Sequence, residues 1–314
     1  MDKNTGKILQ VGAAARNMLG RTPGNVVAMR PLKDGIISDH EMAVRMLQDM
    51  FKTATQSKAF TPKPRVVISV PSGVTEIEER SVINAAIEAG ARRVFLIEEP
   101  LAAGLGANLD IKGAKGHLVV DIGGGTTDIA VLSMNGVAGS SSLKIAGNYM
   151  DELIVRYVRR QHGIAIGQVT AENVKIQIGT VYPGGEEKTM SIKGRDIKTG
   201  MPRNVTLTAS EIFEVLRRPA RIIADEVLSV LEQTSPELVS DISETGITLT
   251  GGCSQLEGFD LLLSERTGIR CAVADDPEGC TVLGCGRSLA WINHMQEGPI
   301  NIARKRAIRT GGNL

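Results

Sequence analysis

Residues 118–132, LVVDIGGGTTDIAVL, constrain the fold more than any other part of the chain. Two runs of aliphatic residues flank three consecutive glycines, a composition that predicts two buried strands joined by a glycine turn. Because glycine has no Cβ atom, successive backbone N–H groups can line one concavity. Such concavities bind phosphate oxygens, so the segment predicts a phosphate-binding turn.

Polar residues around this turn support the same prediction. Asp121 ends the first strand and can hold a hydrated Mg²⁺, which prefers a few carboxylates together with phosphate and water. Thr126 and Thr127 add hydroxyl donors. A hairpin whose glycines serve turn geometry alone is the alternative, but it does not require these acids and threonines.

Composition limits the classes of partner. The formal net charge is +1 and aromatic residues make up 3% of the 314 residues, so nothing points to nucleic acid as a partner. The four cysteines form no C-x-x-C pair and are expected to be reduced core thiols. No signal peptide and no apolar run of about 18 residues occurs, which predicts a cytoplasmic protein that contacts a membrane only at its surface.

Short apolar strands alternate with amphipathic helices, a pattern typical of an α/β protein with buried sheets. Strands are predicted at 7–12, 65–70, 94–97, 118–132 and 247–250, and hairpins within 181–208. Helices are predicted at 13–19, 76–89, 100–109, 149–162, 171–179 and 259–265. Asp39 is expected to cap one further helix and Thr208 to start another, which Pro219 should kink or split.

The glycine turn and several other segments resemble the superfamily of actin, sugar-kinase and heat-shock-chaperone ATPases. DIGGGTTD resembles its second phosphate loop, EEPLAA at 98–103 its first connecting helix, ITLTGG at 247–252 its adenosine loop and VLGCG at 282–286 its second connection. GRTPGN at 20–25, RPLKDGIISD at 30–39 and AENVKIQIG at 171–179 resemble the bacterial actin family MreB. The resemblance covers nearly the whole chain.

The resemblance implies an actin-like ATPase fold of the α/β class, with two ribonuclease-H-like domains that flank a nucleotide cleft. The first domain would comprise residues 1–115 and 285–314, and the second residues 116–284 with a small subdomain at about 171–245. The first domain would lack its first two strands, because no Asp–Gly–Thr phosphate loop precedes Asp121. Either Met1 is an internal start, or the chain is a shortened paralogue with impaired ATP hydrolysis and a poorly folded N-terminal third.

The resemblance also implies roles in ATP binding for residues of the glycine turn. Asp121 would help hold Mg²⁺, and the β- and γ-phosphates would lie against Gly123, Gly124, Gly125, Thr126 and Thr127. Thr126 would help position the attacking water, and Glu99 would be the catalytic carboxylate that orients or polarises it. From its position alone, Glu99 is equally a solvated acid at a strand end.

The remaining implied nucleotide contacts come from two other segments. Glu172 and Lys175 match the ribose-binding pair, although their spacing alone also fits a salt bridge on a helix surface. Gly251 and Gly252 would let the backbone approach the adenosine and the α-phosphate, but Cys253 replaces the third glycine of the family. Asn148 stands where the family usually has aspartate and can cap the following helix.

Membrane contact is implied for the polar loop at 53–64. Ala59 and Phe60 match an apolar pair that touches the membrane in the family, and Lys58 and Lys63 flank them. A Phe60 ring folded into the core is the alternative. The basic segment 301–314 could contact anionic lipid, although such ends are more often simply solvated.

The implied function is that of a cytoskeletal protein. Its subunits would join head to tail into ATP-dependent filaments under the inner face of the cell membrane, where they meet cell-wall elongation proteins and maintain rod shape. ATP hydrolysis would be slow and coupled to polymerisation. A small-molecule kinase of the same superfamily is the alternative, and it would require a substrate pocket beside the phosphate loops.

Overall fold

The structure, a computed structural model, describes residues 1–55 and 62–290. Ala59, Phe60 and the basic segment 301–314 lie outside these ranges. The described chain divides into two compact units: residues 1–55, 62–70 and 74–97 form unit 1, and residues 71–73 and 98–290 form unit 2. The predicted domain limits at residues 115 and 284 remain a prediction. In the described ranges, no helix is long and apolar enough to cross a membrane.

Unit 1 contains three helices and two small sheets. The helices are α1 (Ala13–Arg16), α2 (His40–Thr55) and α3 (Glu76–Glu88), and the strands are β1 (Leu32–Lys33), β2 (Ile36–Ile37), β3 (Arg65–Val70) and β4 (Arg93–Glu98). β1 pairs with β2, and β3 pairs with β4. The predicted Asp39 cap is confirmed, since its Oδ1 accepts a hydrogen bond from the Met42 amide at 3.0 Å.

The prediction of a strand at 7–12 is wrong. These residues form no regular strand, and the Leu9 side chain is 40% exposed. An apolar segment becomes a strand only where a neighbouring strand pairs with its backbone, and no such neighbour exists among the described residues.

A five-stranded sheet forms the centre of unit 2. Its strands are β5 (His117–Ile122), β6 (Thr127–Ser133), β7 (Gly136–Leu143), β11 (Ile247–Thr250) and β12 (Cys271–Val273), in the order β12-β11-β5-β6-β7. β5 lies parallel to β11 and antiparallel to β6. The hairpin predicted from the glycine turn is therefore confirmed, and its strands are buried at the middle of the sheet.

Seven α-helices surround the sheet of unit 2 in the described chain, namely α4 (Glu99–Gly106), α5 (Gly147–His162), α6 (Gln168–Ile178), α7 (Ala209–Glu232), α8 (Pro236–Thr245), α9 (Phe259–Thr267) and α10 (Cys280–Ser288). The capping box at Thr208 and Glu211 is confirmed. The predicted split at Pro219 is wrong, because α7 continues through it with Pro219 buried. Packing of the apolar face of α7 on the core outweighs the lost backbone hydrogen bond.

The hairpin predicted within 181–208 is confirmed, and a short strand at 164–165 extends its sheet. β8 (Ile164–Ala165), β9 (Thr189–Asp196) and β10 (Pro202–Thr208) make an antiparallel sheet in which β9 is central. Its turn lies between Asp196 and Pro202, and the register pairs Thr189 with Thr208. The strand therefore ends where the Thr208 capping box begins α7.

Glycines allow α4 and α10 to cross at backbone contact. A Cβ atom on Gly106 would lie 1.7 Å from the Cys280 carbonyl oxygen, and one on Gly284 would lie 1.7 Å from the Ala102 carbonyl oxygen. Any larger residue at either position would separate the helices. This crossing brings the first residue of α4, Glu99, and the start of α10 to the same side of the sheet as the end of β5.

Candidate functional site

The glycine turn rests on the start of α5. The Gly147 amide donates to the Gly123 carbonyl at 3.1 Å, and the Asn148 amide donates to the Gly124 carbonyl at 2.8 Å. Inside the turn, the Gly123 amide donates to the Thr126 carbonyl at 3.0 Å. Within residues 1–55 and 62–290, the amides of Gly124 and Gly125 have no hydrogen-bond acceptor. These two amides are available to an anion.

None of the three turn glycines has a positive φ. A Cβ atom on Gly123 would lie only 3.2 Å from the Thr126 carbonyl oxygen. Gly124 is exposed, and a Cβ atom there would make only an ordinary contact with the Asn148 side chain at 3.8 Å. The turn is therefore tight on one side and accessible on the other, as a close backbone approach to a ligand requires.

Asp121 is held by two threonines from distant parts of the chain. Its Oδ1 accepts from the Thr250 hydroxyl at 3.1 Å, and its Oδ2 accepts from the Thr281 hydroxyl at 3.1 Å. The side chain is buried, and this burial raises the pKa of Asp121 to about 6, against the lowering effect of both hydroxyls. The two bonds fix the orientation of the carboxylate at the end of β5.

Asp128 is a site residue that the sequence reasoning missed. It lies directly opposite Asp121 in the register of β5 and β6, and it is 1% exposed. Its Oδ1 accepts from the Ser72 amide at 3.0 Å, while its buried Oδ2 has no donor in full hydrogen-bond geometry among the described residues. Burial raises the pKa of Asp128, against the lowering effect of the nearby Thr126 and Ser142 hydroxyls and the Ser72 amide. The signal was present, because a hairpin closed around 123–126 necessarily pairs these two positions.

Glu99 lies close enough to Asp121 and Asp128 to interact with their charges. Loss of hydration, followed by the charges of Asp128 and Asp121, raises the pKa of Glu99 to about 8, against the lowering effect of a hydrogen bond with Thr126. The structure thus brings together Glu99, Thr126 and Asp121, as predicted from their separate motifs. The alternative of a freely solvated Glu99 does not agree with this environment.

We name Glu99, Asp121 and Asp128 the carboxylate cluster. None of the three has an ion-pair partner in the described part of the chain, and no group of acids, histidines or cysteines there already has metal-binding geometry. The orphaned Asp128 Oδ2 and the mutual repulsion nevertheless show that the cluster lacks a positive charge. Carboxylate oxygens beside free amides suit a Mg²⁺ ion that arrives with phosphate.

The buried Lys175 side chain contacts the start of α5, on which the glycine turn rests. This side chain is buried, lies 2.8 Å from Asp151 and donates to the Gly147 carbonyl at 3.0 Å. Because the Gly147 amide donates to Gly123, Lys175 stabilises the helix start on which the turn rests. A salt bridge on the helix surface does not describe this buried lysine. Glu172 is half-buried on the same helix, and a ribose contact by this pair stays a prediction.

The predicted adenosine loop follows β11. Gly251 has φ 81°, and a Cβ atom there would lie 2.4 Å from the Ile122 carbonyl oxygen, so only glycine fits. Gly252 begins a 3₁₀ turn, Gly252–Gln255. Cys253 in that turn lies against α5, since a Cβ atom on Gly147 would be 2.5 Å from its Sγ, and burial raises the pKa of the Cys253 thiol. All four cysteines are free; Cys271 and Cys280 are buried as expected of core thiols, whereas Cys253 and Cys285 are only half-buried.

Thr127 and Asn148 make hydrogen bonds within the protein that differ from the contacts predicted for them. The Thr127 hydroxyl donates to the Ile145 carbonyl at 2.7 Å and is fully buried, so its contact with phosphate stays a prediction. Asn148 does not cap α5, because the cap position is Ala146 and carries no side-chain bond. Asn148 instead contributes its backbone amide to the glycine turn.

Several known proteins are similar to this chain over most of its length. The model of the family described as MreB/Mbl protein matches residues 1–297. The chain is 49% identical to the cell shape-determining protein MreB of Escherichia coli (strain K12) over 91% of this chain and 82% of that protein. It is 44% identical to the cell shape-determining protein Mbl of Bacillus cereus, over 98% of this chain and 90% of that protein.

Solved structures show the same fold. Spiroplasma citri MreB5 bound to ADP superposes with a TM-score of 0.87 at 37% identity, over 95% of this chain and 89% of that chain. The same protein bound to AMPPNP gives a TM-score of 0.83 at 36% identity, over 99% of this chain and 89% of that chain. The MamK filament structure gives 0.70 at 23% identity, over 83% and 80%, which is evidence for the fold alone. The predicted actin-like ATPase fold is confirmed.

Proposed function

Because the chain belongs to the MreB/Mbl protein family, we propose that it is an actin-like cytoskeletal protein that binds ATP together with Mg²⁺ at the glycine turn. The observation that carries this proposal is the carboxylate cluster beside two unpaired amides. Buried like charges without a cation are costly, and they are retained where a ligand supplies the missing charge. The related MreB5 structures hold ADP and AMPPNP, which supports a nucleotide as that ligand.

Each residue of the site would have a separate role in binding ATP and Mg²⁺. Asp121, fixed by Thr250 and Thr281, would be the main contact to the metal, and the amides of Gly124 and Gly125 would bind phosphate oxygens. A bound Mg²⁺ supplies positive charge that offsets the phosphates and the cluster. Gly251 and Gly252 would let the backbone approach the nucleotide, because neither carries a side chain.

Glu99 would act on the attacking water together with Thr126. Without a cation, its pKa of about 8 keeps Glu99 largely protonated at neutral pH, so a bound Mg²⁺ would be needed to favour the carboxylate form, which could then accept a proton from water. The Thr126 hydroxyl is hydrogen-bonded to Glu99, so it can hold that carboxylate and the water in one orientation. The resulting ATPase would be slow, with hydrolysis coupled to filament turnover.

The finer cellular role follows from the family. The related proteins of E. coli and B. cereus are named for determining cell shape. We propose that this chain forms head-to-tail filaments in the cytoplasm at the inner face of the cell membrane, where they guide cell-wall synthesis and maintain rod shape. Ala59 and Phe60 are the proposed membrane contact.

The test uses the purified chain, a fluorescent ATP analogue and Mg²⁺. We expect saturable binding that Asp121→Asn reduces at least tenfold, while Asp110→Asn, which alters an exposed acid outside the site, has no effect. We also expect ATP and Mg²⁺ to increase the protein that sediments at high speed. Absence of nucleotide binding would contradict the proposed site, and ATP consumption only with a small-molecule acceptor would favour the kinase alternative.

A further inference from the structure

A groove in unit 2 has an unusual concentration of arginine. It lies between α7, α9 and the segment 181–183, and its volume is about 760 Å³. That volume is within the range of about 300–1,000 Å³ typical of ligand pockets. The basic side chains that line it come from two helices and are Arg217, Arg218, Arg221 and Arg266. We call this feature the arginine groove.

The charges of the arginine groove are incompletely paired. Arg217 lies 3.0 Å from Glu214, and Arg266 lies 2.8 Å from Asp225. Arg218 and Arg221 have no ion-pair or hydrogen-bond partner in the part of the chain that the structure describes. They lie three residues apart on α7, where like charges are neighbours and repel. This repulsion slightly destabilises α7, so the stability of the helix does not explain why two exposed arginines occupy these positions.

Among the described residues, Glu265 is the one acid that lines the groove, and it already has a partner. Glu265 is hydrogen-bonded to the Tyr182 hydroxyl, an interaction that raises the pKa of Tyr182. Glu214 and Asp225 pair with two of the four arginines, so the unpaired positive charge of the groove comes from Arg218 and Arg221, in a chain whose formal net charge is only +1. An anionic ligand is therefore favoured here by local and not by overall charge.

The walls of the groove are apolar. Val181, Phe213 and Leu262 line it between the arginines. Phe213 and Leu262 are half-buried, so part of their surface remains in contact with water. An occupant that covers these side chains removes apolar surface from water, which a small inorganic anion cannot do. The surface is also concave, and a flat bilayer does not follow a concave surface.

We propose that the arginine groove binds an acidic peptide segment of a partner protein, with at least one apolar side chain inserted between the arginines. Guanidinium groups bind carboxylates with two parallel hydrogen bonds, which selects aspartate and glutamate over a diffuse negative field. Clusters of arginine commonly recognise acidic motifs in this way. The proposal does not depend on nucleotide binding, because no residue of the carboxylate cluster lines the groove.

The test measures fluorescence anisotropy of a labelled octapeptide, Glu-Leu-Asp-Glu-Phe-Asp-Glu-Leu, with the full chain. Arg218→Gln/Arg221→Gln should weaken binding about tenfold or more, since both unpaired guanidinium groups that would bind the peptide carboxylates are removed. Arg159→Gln/Arg160→Gln is the matched control, because it removes two adjacent exposed arginines of α5 that do not line the groove. Arg218→Lys/Arg221→Lys should give an intermediate loss.

Four further probes distinguish the possible ligands. The same peptide with Gln and Asn in place of the acids should not bind. A Glu/Asp octapeptide in which serine replaces the apolar residues should bind more weakly than the original. Vesicles of anionic phospholipid and inorganic pyrophosphate should not compete at peptide-saturating concentrations. Equal losses in the groove and control variants, preferential binding of vesicles or pyrophosphate, or no peptide binding would each overturn the proposal.

Discussion

Unit 2 contains two groups of like charges that differ in their contact with water. Glu99, Asp121 and Asp128 lie at the end of the central strands, and Asp121 and Asp128 are less than a tenth exposed. Arg218 and Arg221 lie on the surface of α7. Both groups lack partners of opposite charge among the described residues. Their consequences differ because charges interact far more strongly away from water.

The two groups therefore differ in what they affect. The carboxylates affect the stability of the folded state, and the arginines affect the binding of a ligand. In the carboxylate cluster, repulsion and lost hydration shift proton binding, so the folded state is sensitive to pH and to cations. In the arginine groove, water and salt screen the repulsion. The first group should therefore be detected by unfolding experiments, and the second almost only by its ligand.

The largest expected effect is that of Glu99→Gln on stability at high pH. Because folding raises the pKa of Glu99 from 4.5 to about 8, the wild type has its full stability below pH 4.5 and loses stability as pH rises through about 8. At about 1.4 kcal/mol per pH unit, the loss reaches at most about 5 kcal/mol. The variant should therefore be about 2–5 kcal/mol more stable than the wild type at pH 9, without Mg²⁺, and nearly equal at pH 5.

Urea unfolding at both pH values measures this difference. Glu232→Gln, at an exposed acid near the end of α7, is the control and should show no pH-dependent gain. A Glu99→Gln variant with equal stability to the wild type at pH 9 would show that the cluster is not strained by its charge.

Addition of Mg²⁺ should produce the next largest effect. An ion that binds only the folded cluster should stabilise the wild type by about 1–3 kcal/mol at pH 8 when its concentration is well above its dissociation constant. Thermal unfolding in millimolar MgCl₂, against NaCl at equal ionic strength, measures the shift. Asp121→Asn and Asp128→Asn should each reduce it, whereas Asp110→Asn should not. A shift that survives in both site variants would place the ion elsewhere.

Thr281→Val should have a smaller effect with a defined pH dependence. Removal of the hydroxyl that donates to Asp121 at 3.1 Å should raise the pKa of Asp121 above its value of about 6. The variant should lose about 1–2 kcal/mol relative to the wild type at pH 8 and little below pH 5, where the acid is protonated.

The control for this variant is Thr234→Val. Its hydroxyl donates to the neutral Val230 carbonyl at 2.7 Å, so its loss should not depend on pH. Equal pH profiles for the two variants would show that the Thr281 bond does not act on the charge of Asp121.

The smallest effect is expected for Arg218→Gln/Arg221→Gln. Because both side chains are exposed, the free energy of unfolding should change by no more than about 0.5 kcal/mol in low or high salt. Urea unfolding at 20 mM and 500 mM NaCl measures it. A loss of more than about 2 kcal/mol would mean that the arginines stabilise unit 2, and the contrast with the carboxylate cluster would fail.

Local features of the sequence were the most reliable guides to the fold. The hairpin at 118–132 and the capping box at Thr208 depend on residues only a few positions apart, and the structure confirms both. The strand expected at 7–12 fails for the opposite reason, because pairing requires a distant partner. β7, β12 and α8 escaped prediction, since their segments are short or carry weak periodicity.

The sequence by itself determined the glycine turn, its flanking strands and the chemical types that surround it, because alternation, glycine and capping act within one segment. Only the tertiary structure decided which polar groups meet. Asp121 accepts hydrogen bonds from Thr250 and Thr281, which lie 129 and 160 residues away in the sequence. Lys175 is buried beneath the turn, and α7 meets α9 to enclose the arginine groove. These contacts follow from how helices and strands pack on one core, which no local pattern encodes.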